Sequence, residues 1–296
     1  MKIGLNMWAF NYNDPIKRSV SLAKEAGFDG IEMNLGATGW LTAQTSEQEL
    51  IQIRNTVADQ QIEIPSVCSS LYWKHSLTSN NEQERCKAIE NLQLQIKTAH
   101  ALGAHSILCI PGMVSASFPI EKTFHRLDVF HTELQNESIE LHDAYERSKH
   151  AMNCVLQEAE SLDVCIGLEN VGNHFLDTPD TMNQYISSLH SKSFFAYLDI
   201  GNVMKNRYPN NLPEHWIQVL NDKIGMVHIK DFQKKTGRFE KIGCGDLNLR
   251  AAVLALKEIN YNGWLIVEYM EPDCWRENNY LSDTVKYIKG AMEEMT

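Results

Sequence analysis

The sequence predicts an α/β protein built as one closed (β/α)8 barrel of the TIM type. Eight short apolar runs recur along the chain with longer segments of helical spacing between them, which is the pattern of parallel strands joined by crossover helices. The 296 residues, 43% of them apolar, suit a barrel, because this fold often spans about 250 residues as one domain. No glycine-rich fingerprint follows a predicted strand, which argues against an open dinucleotide-binding sheet.

The eight predicted strands are short, and most of them are rich in the β-branched, aromatic and aliphatic residues that buried parallel strands favour. They are KIGLN (2–6), GIEMN (30–34), EIPSVC (63–68), SILCI (106–110), VCIGLE (164–169), FFAYLD (194–199), GMVHI (225–229) and WLIVE (264–268).

Helix start and stop signals lie between these strands. We expect Asp14 to cap a helix that has Pro15 at its first position, Ser46 and Glu49 to form a capping box, and Thr178 to begin a later helix. Glycines that end helices are expected just before three of the strands, at Gly27, Gly103 and Gly263.

We predict a single domain over residues 1–296 with one long insertion. The insertion lies near 111–136, between the fourth and fifth predicted strands, and mixes apolar and aromatic residues. A segment of this kind at the mouth of a barrel is expected to form a lid or an additional helix.

Composition narrows the class of protein. The net charge of −11 argues against a nucleic-acid partner, since such proteins usually carry a basic surplus. The seven cysteines include no C-x-x-C pair and are expected to be reduced, as in a cytoplasmic protein. The N-terminus does not resemble a signal peptide, and no apolar run approaches the roughly 20 residues of a membrane helix.

The last four predicted strands each end in a polar side chain, namely Glu169, Asp199, His228 and Glu268. In a barrel these strands are neighbours, and catalytic groups lie at their carboxyl ends. Three carboxylates would repel one another there unless a cation bound between them. Three oxygen ligands and one imidazole suit Mn²⁺ best, with Mg²⁺, Co²⁺ or Zn²⁺ also possible.

Each of these residues alone also has an ordinary structural reading. A single histidine at a strand end is usually a satisfied loop residue, and a single glutamate there is usually an exposed terminus. Four such residues on four successive strands favour one divalent metal ion per subunit instead.

The segments GLEN, YLDIGNV, VHIKDF and GCGDLNLRAAVLALKEINYNGWLIVE resemble the xylose-isomerase-like barrel superfamily. The resemblance covers essentially the whole chain and is closest to the sugar-phosphate isomerase and 3-epimerase branch. This branch includes ketose 3-epimerases, L-ribulose-5-phosphate 3-epimerases and hexulose-phosphate isomerases. The implied partner is a small sugar or sugar phosphate, and members of the branch often form dimers or tetramers.

The resemblance implies a role for each of the four residues. Glu169, Asp199, His228 and Glu268 would hold the metal, and the two glutamates would also be the acid/base pair. A metal on two adjacent sugar oxygens acidifies the neighbouring C–H and stabilises a cis-enediolate. Return of the proton to the same carbon from the other face gives an epimer, whereas return to the adjacent carbon gives aldose–ketose isomerisation.

Several residues around this site are candidate substrate ligands. Asn6 and Trp8 follow the first predicted strand, Glu32 ends the second and His75 follows the third. Asn6 and Glu32 could bind sugar hydroxyls, and Trp8 could stack on the apolar face of a sugar. Asn202 stands where several free-ketose epimerases of the family carry a sugar-binding histidine, so free-sugar specificity does not transfer directly to this chain.

A basic segment follows the seventh predicted strand. Lys230 is expected to point to the same side as His228, where it could neutralise an oxyanion or a phosphate. Beyond it come Lys234, Lys235, Arg238 and Lys241 and then a glycine turn, Gly243-Cys244-Gly245. Arg238 and the backbone N–H groups of the turn could bind a phosphate. A solvated basic loop is the plainer reading.

Three alternative functions stay open at this stage. A metal-dependent lyase of the inosose dehydratase kind would use the same four ligands and expel a β-hydroxyl. An apurinic-site endonuclease of the same superfamily needs a second histidine after the strand-6 aspartate and an Asp-x-His after strand 7, whereas this chain has Asn202 and the segment His228-Ile229-Lys230-Asp231. A non-catalytic sugar-binding barrel would be expected to lose one of the two acid/base glutamates, yet both Glu169 and Glu268 are present.

Overall fold

The computed structural model describes residues 1–115, 137–205, 211–268 and 279–293. Most of the predicted lid at 111–136 therefore lies outside the described residues. Among the described helices, none is long and apolar enough to cross a membrane.

Eight parallel strands close into a barrel, which confirms the predicted fold class. Around the barrel the order is β1, β10, β7, β6, β5, β4, β3, β2 and back to β1. These strands are β1 (Lys2–Asn6), β2 (Gly30–Leu35), β3 (Val67–Ser69), β4 (Ser106–Cys109), β5 (Cys165–Glu169), β6 (Phe194–Asp199), β7 (Ile224–Ile229) and β10 (Trp264–Val267).

Helices pack around the outside of the barrel and bury their apolar faces against it. The described α-helices are α1 (Ile16–Ala26), α2 (Glu47–Ala58), α3 (Glu82–Leu102), α4 (Leu141–Ser161), α5 (Pro179–Ser188), α6 (Ile200–Lys205), α7 (Pro213–Leu220), α8 (Leu249–Glu258) and α9 (Tyr280–Glu293).

Most of the predicted helix signals are present. Ser46 and Glu49 form the capping box of α2, and Thr178 caps α5. Gly27 and Gly103 end their helices in the left-handed conformation, which glycine adopts without steric cost. The expected cap of α1 was wrong by one residue: Pro15 is the N-cap and not the first helical residue, because its backbone is extended and its carbonyl accepts from Arg18 N–H.

Two strand predictions need correction. The third strand begins at Val67 and not at Glu63, because Pro65 has no N–H to donate to a ladder. The segment after β7, expected to be a loop, contains an antiparallel hairpin of β8 (Asp231–Gln233) and β9 (Arg238–Glu240). This hairpin begins directly after the barrel strand that carries His228 and Lys230.

Candidate metal centre

Four polar side chains meet at the carboxyl end of four consecutive barrel strands. Glu169 and Asp199 are the last residues of β5 and β6, His228 lies in β7, and Glu268 directly follows β10. Asp199 and His228 stand at the same level in the β6–β7 register, and the N–H of Glu268 continues the ladder by donating to the carbonyl of Ile229 at 3.0 Å. The strand register therefore sets the height of the cluster.

The ligand atoms of these four residues all lie within 4.8 Å of one another. His228 Nδ1 is 3.1 Å from Glu268 Oε2, 3.8 Å from Glu169 Oε1 and 3.9 Å from Asp199 Oδ2. All four side chains are buried. Three buried carboxylates at this spacing need a cation among them.

The donor set fits a divalent ion. His228 Nδ1 is a buried ring nitrogen that faces three carboxylates, and although Glu268 Oε2 lies 3.1 Å away, the angle of approach does not form a hydrogen bond. A buried polar atom of this kind is rare unless a ligand completes it. Oxygen and imidazole donors together suit Mn²⁺ or a similar first-row metal, so the cluster can hold one metal ion.

The other ring nitrogen of His228 is fixed from below by Glu32. His228 Nε2 lies 2.8 Å from Glu32 Oε2, and the same carboxylate accepts hydrogen bonds from Asn6 Nδ2 at 2.5 Å, Ser66 Oγ at 2.6 Å and Tyr197 Oη at 2.5 Å. A carboxylate that accepts from Nε2–H leaves the Nδ1 lone pair free for a metal. Glu32 therefore selects the ligand atom of His228.

Asn6 and Glu32 are fully buried, and their polar atoms are engaged within the protein. Asn6 donates to Glu32 and accepts from the backbone N–H of Trp8 and from Asn34 Nδ2. Neither side chain has a free polar atom for a sugar. We therefore replace the direct sugar contact predicted for these two residues with a positioning role beneath His228.

Asn202 and Asn170 hold the two carboxylates on β5 and β6. Asn202 donates from Nδ2 to Glu169 Oε1 at 3.3 Å, and its backbone N–H donates to Asp199 Oδ1 at 2.7 Å. The side-chain amide of Asn170 accepts from the N–H of Asp199 and donates to its carbonyl. This pair of hydrogen bonds continues the β5–β6 ladder one residue beyond β5. Asn202 also lines the pocket, where it can still contact a substrate.

Lys230 is buried and bridges two of the ligands. Its Nζ lies 2.7 Å from Asp199 Oδ2 and 2.7 Å from Glu268 Oε2. Burial by itself lowers the pKa of Lys230, but these carboxylates outweigh it and raise the pKa above its usual range.

The charges of the cluster act on one another. Burial raises the pKa of Asp199 to about 7, and the charges of Glu268 and Glu169 oppose the partial relief that Lys230 gives. Burial would also raise the pKa of Glu268, but Lys230 and His228 hold it well below its usual range. Burial lowers the pKa of His228, yet the negative charges of Glu32 and Glu268 raise it well above its usual value.

A small pocket opens above the cluster. The ligands Glu169, His228 and Glu268 line one part of it together with Asn202 and Lys230. The remaining wall is largely apolar and contains two tryptophans; it consists of Trp8, Cys68, Ser69, Trp73, Leu108, Ile110 and Val171. These two kinds of wall suit a small molecule with both oxygen-rich and C–H surfaces.

The two remaining substrate candidates lie elsewhere among the described residues. His75 follows β3 and pairs through Nδ1 with Glu84 Oε2 at 2.5 Å. Arg238 begins β9 and is exposed. Neither lines the described pocket, and their contact with substrate stays a prediction.

The glycine turn after the hairpin does not provide a free anion site. The N–H groups of Gly243, Gly245 and Leu247 donate to the buried carboxylate of Asp231 at 3.0, 2.9 and 3.0 Å, and the Cys244 N–H donates to the carbonyl of Lys241. The anion that this turn binds is therefore the protein's own aspartate. The expectation that these N–H groups bind a phosphate was wrong.

Comparison with known proteins agrees with this geometry. A model of the xylose isomerase-like TIM barrel family matches residues 20–291. The chain belongs to this family. The match spans the barrel from α1 to α9 and includes all four residues of the metal centre.

Two relatives are distant from this chain in sequence but similar to it in length. SgbU of Haemophilus influenzae is 24% identical over 304 residues, which cover 99% of this chain and 96% of that protein. The L-ribulose-5-phosphate 3-epimerase UlaE of Escherichia coli is 22% identical over 253 residues, or 84% of this chain and 80% of that protein.

A solved structure of D-psicose 3-epimerase with D-tagatose, from Clostridium cellulolyticum H10, superimposes with a TM-score of 0.78. The match covers 99% of this chain and 100% of that one at 15% identity. At this identity the likeness establishes the fold of the family and not a shared substrate.

Sequence reasoning missed several residues that shape the centre. Tyr197 lies two residues before Asp199, so strand alternation places both on one face, but nothing in the sequence pairs its hydroxyl with Glu32. Ser66 and Phe239 also gave no signal, because their contacts join segments far apart in the chain.

Proposed function

We propose that this protein is a divalent-metal-dependent isomerase or epimerase of a ketose or ketose phosphate. The observation that carries the proposal is the buried cluster of Glu169, Asp199, His228 and Glu268 at the base of a pocket with one polar and one apolar wall. Membership of the family, and relatives that include an L-ribulose-5-phosphate 3-epimerase, support a sugar as the substrate.

Glu169 and Glu268 are the proposed acid/base pair. Glu169 lies at the end of β5 and Glu268 at the end of β10, and β6 and β7 lie between these two strands. The two carboxylates therefore approach the pocket from opposite sides of Asp199 and His228. One carboxylate removes a proton from the carbon beside the substrate carbonyl, and the other returns a proton from the opposite side. Return to the same carbon inverts its configuration.

The proposed cofactor is one divalent ion, with Mn²⁺ favoured and Mg²⁺, Co²⁺ or Zn²⁺ as alternatives. When bound, it would supply Lewis-acid stabilisation of the negative charge that develops on the substrate oxygens. The four ligands would hold it, Glu32 would orient His228 toward it, and the pocket walls would limit access of water.

Among the predicted substrate ligands, Trp8, Asn202 and Lys230 line the pocket. We propose that Trp8 stacks on the C–H face of the sugar and that Asn202 and Lys230 contact its oxygens. The cytoplasmic location, the homo-oligomer and the absence of a nucleic-acid or membrane partner stay predictions.

Proton exchange in D₂O tests the proposed function. The protein with Mn²⁺ is incubated with a panel of free ketoses and ketose phosphates, and each carbon is followed by NMR. Deuterium gained at C3 identifies an epimerase, deuterium at C2 of a newly formed aldose and at C1 of the ketose that re-forms identifies an isomerase, and loss of a β-hydroxyl identifies a lyase. The absence of exchange in every sugar, with Mn²⁺ demonstrably bound, would refute the proposal.

Single variants then assign the two bases. If each carboxylate serves one face, Glu169→Gln and Glu268→Gln should both abolish net conversion while each still exchanges the proton of one epimer only. Because both residues are also proposed ligands, metal content must be measured for each variant. Loss of exchange from both epimers in a variant that still holds its metal would contradict the two-base arrangement.

A further inference from the structure

Lys230 occupies an unusual place for a lysine. Its side chain is 5% exposed, and its ammonium lies 2.7 Å from a carboxylate oxygen of each of Asp199 and Glu268. In both Asp199 and Glu268, the carboxylate oxygen that contacts Lys230 is also the oxygen nearest to His228 Nδ1. The ammonium therefore contacts the side of the two carboxylates that faces the metal centre.

The fold around Lys230 fixes its side chain in this position. Gly201, in the first turn of α6, lies so close that an added Cβ would meet the Lys230 side chain and would stand 2.6 Å from the Lys230 carbonyl oxygen. Phe239, from the hairpin, places its ring 4.8 Å from the ammonium, a cation–π distance. Helix and hairpin thus form a channel for the lysine stem, and the cation is a built part of the centre.

The charges that face the centre can be counted. When His228 is a neutral ligand, the charges on the metal side of its ring are the three negative charges of Glu169, Asp199 and Glu268 and the positive charge of Lys230, which leaves two negative charges. Glu32 lies behind the ring, where four donors hold it. One divalent ion would neutralise the two remaining negative charges. A second divalent ion would leave a buried surplus of positive charge, which is strongly unfavourable in a low-dielectric site.

We propose that the Lys230 ammonium is a built-in second cation of this centre, which occupies the place beside Asp199 and Glu268 that a second metal ion would otherwise take. It limits the chain to one divalent ion and lowers the affinity for that ion by repulsion. This inference rests on the proposed metal centre.

Manganese titration tests the proposal without any substrate. Protein stripped with a chelator is titrated with Mn²⁺ while free Mn²⁺ is followed by electron paramagnetic resonance, which gives both the dissociation constant and the number of bound ions. The variants are Lys230→Met, which removes the charge, Lys230→Arg, which keeps it, and Lys230→Asp, which offers a new ligand. Lys235→Met is the matched control, since Lys235 is exposed on the hairpin.

The wild type and Lys235→Met should bind one ion with equal affinity. Lys230→Met should bind its first ion about tenfold more tightly or better, because a positive charge a few ångströms away has been removed. Lys230→Arg should stay near the wild type, and Lys230→Asp should approach two ions per chain at millimolar Mn²⁺.

Several results would overturn the inference. They are equal or weaker binding by Lys230→Met, the same change in Lys230→Arg as in Lys230→Met, or a single ion in Lys230→Asp. Melting temperatures with and without Mn²⁺ provide a second readout, because the stabilisation by metal should be larger for Lys230→Met than for the wild type. A wild type that binds no Mn²⁺ would instead refute the proposed metal centre.

Discussion

The buried carboxylate of Glu32 gives the sharpest prediction about the centre. Its Oε1 accepts from the hydroxyls of Ser66 and Tyr197, and its Oε2 accepts from Asn6 Nδ2 and His228 Nε2. Replacing Glu32 by glutamine turns one of these oxygens into an NH₂ donor. We expect the new NH₂ group to face Ser66 and Tyr197, because each hydroxyl can rotate so that its oxygen accepts a hydrogen bond. The remaining oxygen would then face Asn6 Nδ2, which can only donate.

The expected size of the effect follows from this geometry. The Glu32→Gln variant keeps a neutral acceptor for His228 but loses the charge-assisted bond, so its free energy of unfolding should fall by about 1–3 kcal/mol. Loss of a carboxylate behind a metal-ligating histidine usually weakens metal binding by about 10–100-fold, which corresponds to roughly 1.4–2.7 kcal/mol.

The assay is a Mn²⁺ titration together with urea unfolding of the metal-free protein. Glu63→Gln is the control: Glu63 forms an exposed ion pair with Lys2 at 2.5 Å, and such pairs contribute less than about 1 kcal/mol. The reasoning would be refuted if Glu32→Gln bound Mn²⁺ as tightly as the control. A drop in stability with unchanged affinity would show that Glu32 supports the barrel but does not orient His228.

Three further predictions concern single residues. Glu32 and Glu268 raise the pKa of His228 well above its usual value in the metal-free protein, so an ion that binds Nδ1 competes with a proton and Mn²⁺ affinity should rise with pH between pH 6 and 8; a flat profile in a pH series of titrations would contradict this. Gly201→Ala should lower the free energy of unfolding by about 1–3 kcal/mol, because the added methyl group would collide with the backbone carbonyl of Lys230. Gly290→Ala is the control: this position is helical and open, so urea unfolding should show a gain of about 0.5–1 kcal/mol. Asp231→Asn turns one acceptor of the glycine turn into a donor, so calorimetry should show a lower melting temperature, equivalent to about 1–3 kcal/mol; an unchanged melting temperature would mean that the turn holds its shape without the charge.

Local pattern was enough to predict most of the fold. The strands KIGLN and FFAYLD begin and end where expected, because each is an apolar run bounded by polar or helical residues. The hairpin after β7 was not predicted, since the basic residues between its strands look like a solvated loop. What makes it a hairpin is pairing between Phe232 and Phe239, and the ion pairs of Lys230 beneath it, which are tertiary contacts.

The candidate metal ligands could also be predicted from the sequence, whereas the residues that support them could not. Position at the end of four successive strands is a property of sequence once the barrel is assumed, so Glu169, Asp199, His228 and Glu268 could be grouped in advance. Glu32 also ends an apolar run in the sequence, but its depth in the barrel depends on the relative register of β1, β2 and β3. A strand-end carboxylate can therefore serve a substrate or a neighbouring ligand, and only the three-dimensional packing decides which.

The same packing explains why one wall of the pocket can hold so much charge. Each charged group below the rim has a fixed partner: Glu32 has four donors, and Lys230 has two carboxylates and an aromatic ring. Because these partners come from different strands, from the segments beside two of them and from the hairpin, the barrel must be complete before all of the charges are compensated. Folding and assembly of the centre are then coupled, and an ion that binds only the assembled centre should stabilise the whole barrel. The ligands would already be held in place when a substrate arrives, so little binding energy would be spent on ordering them.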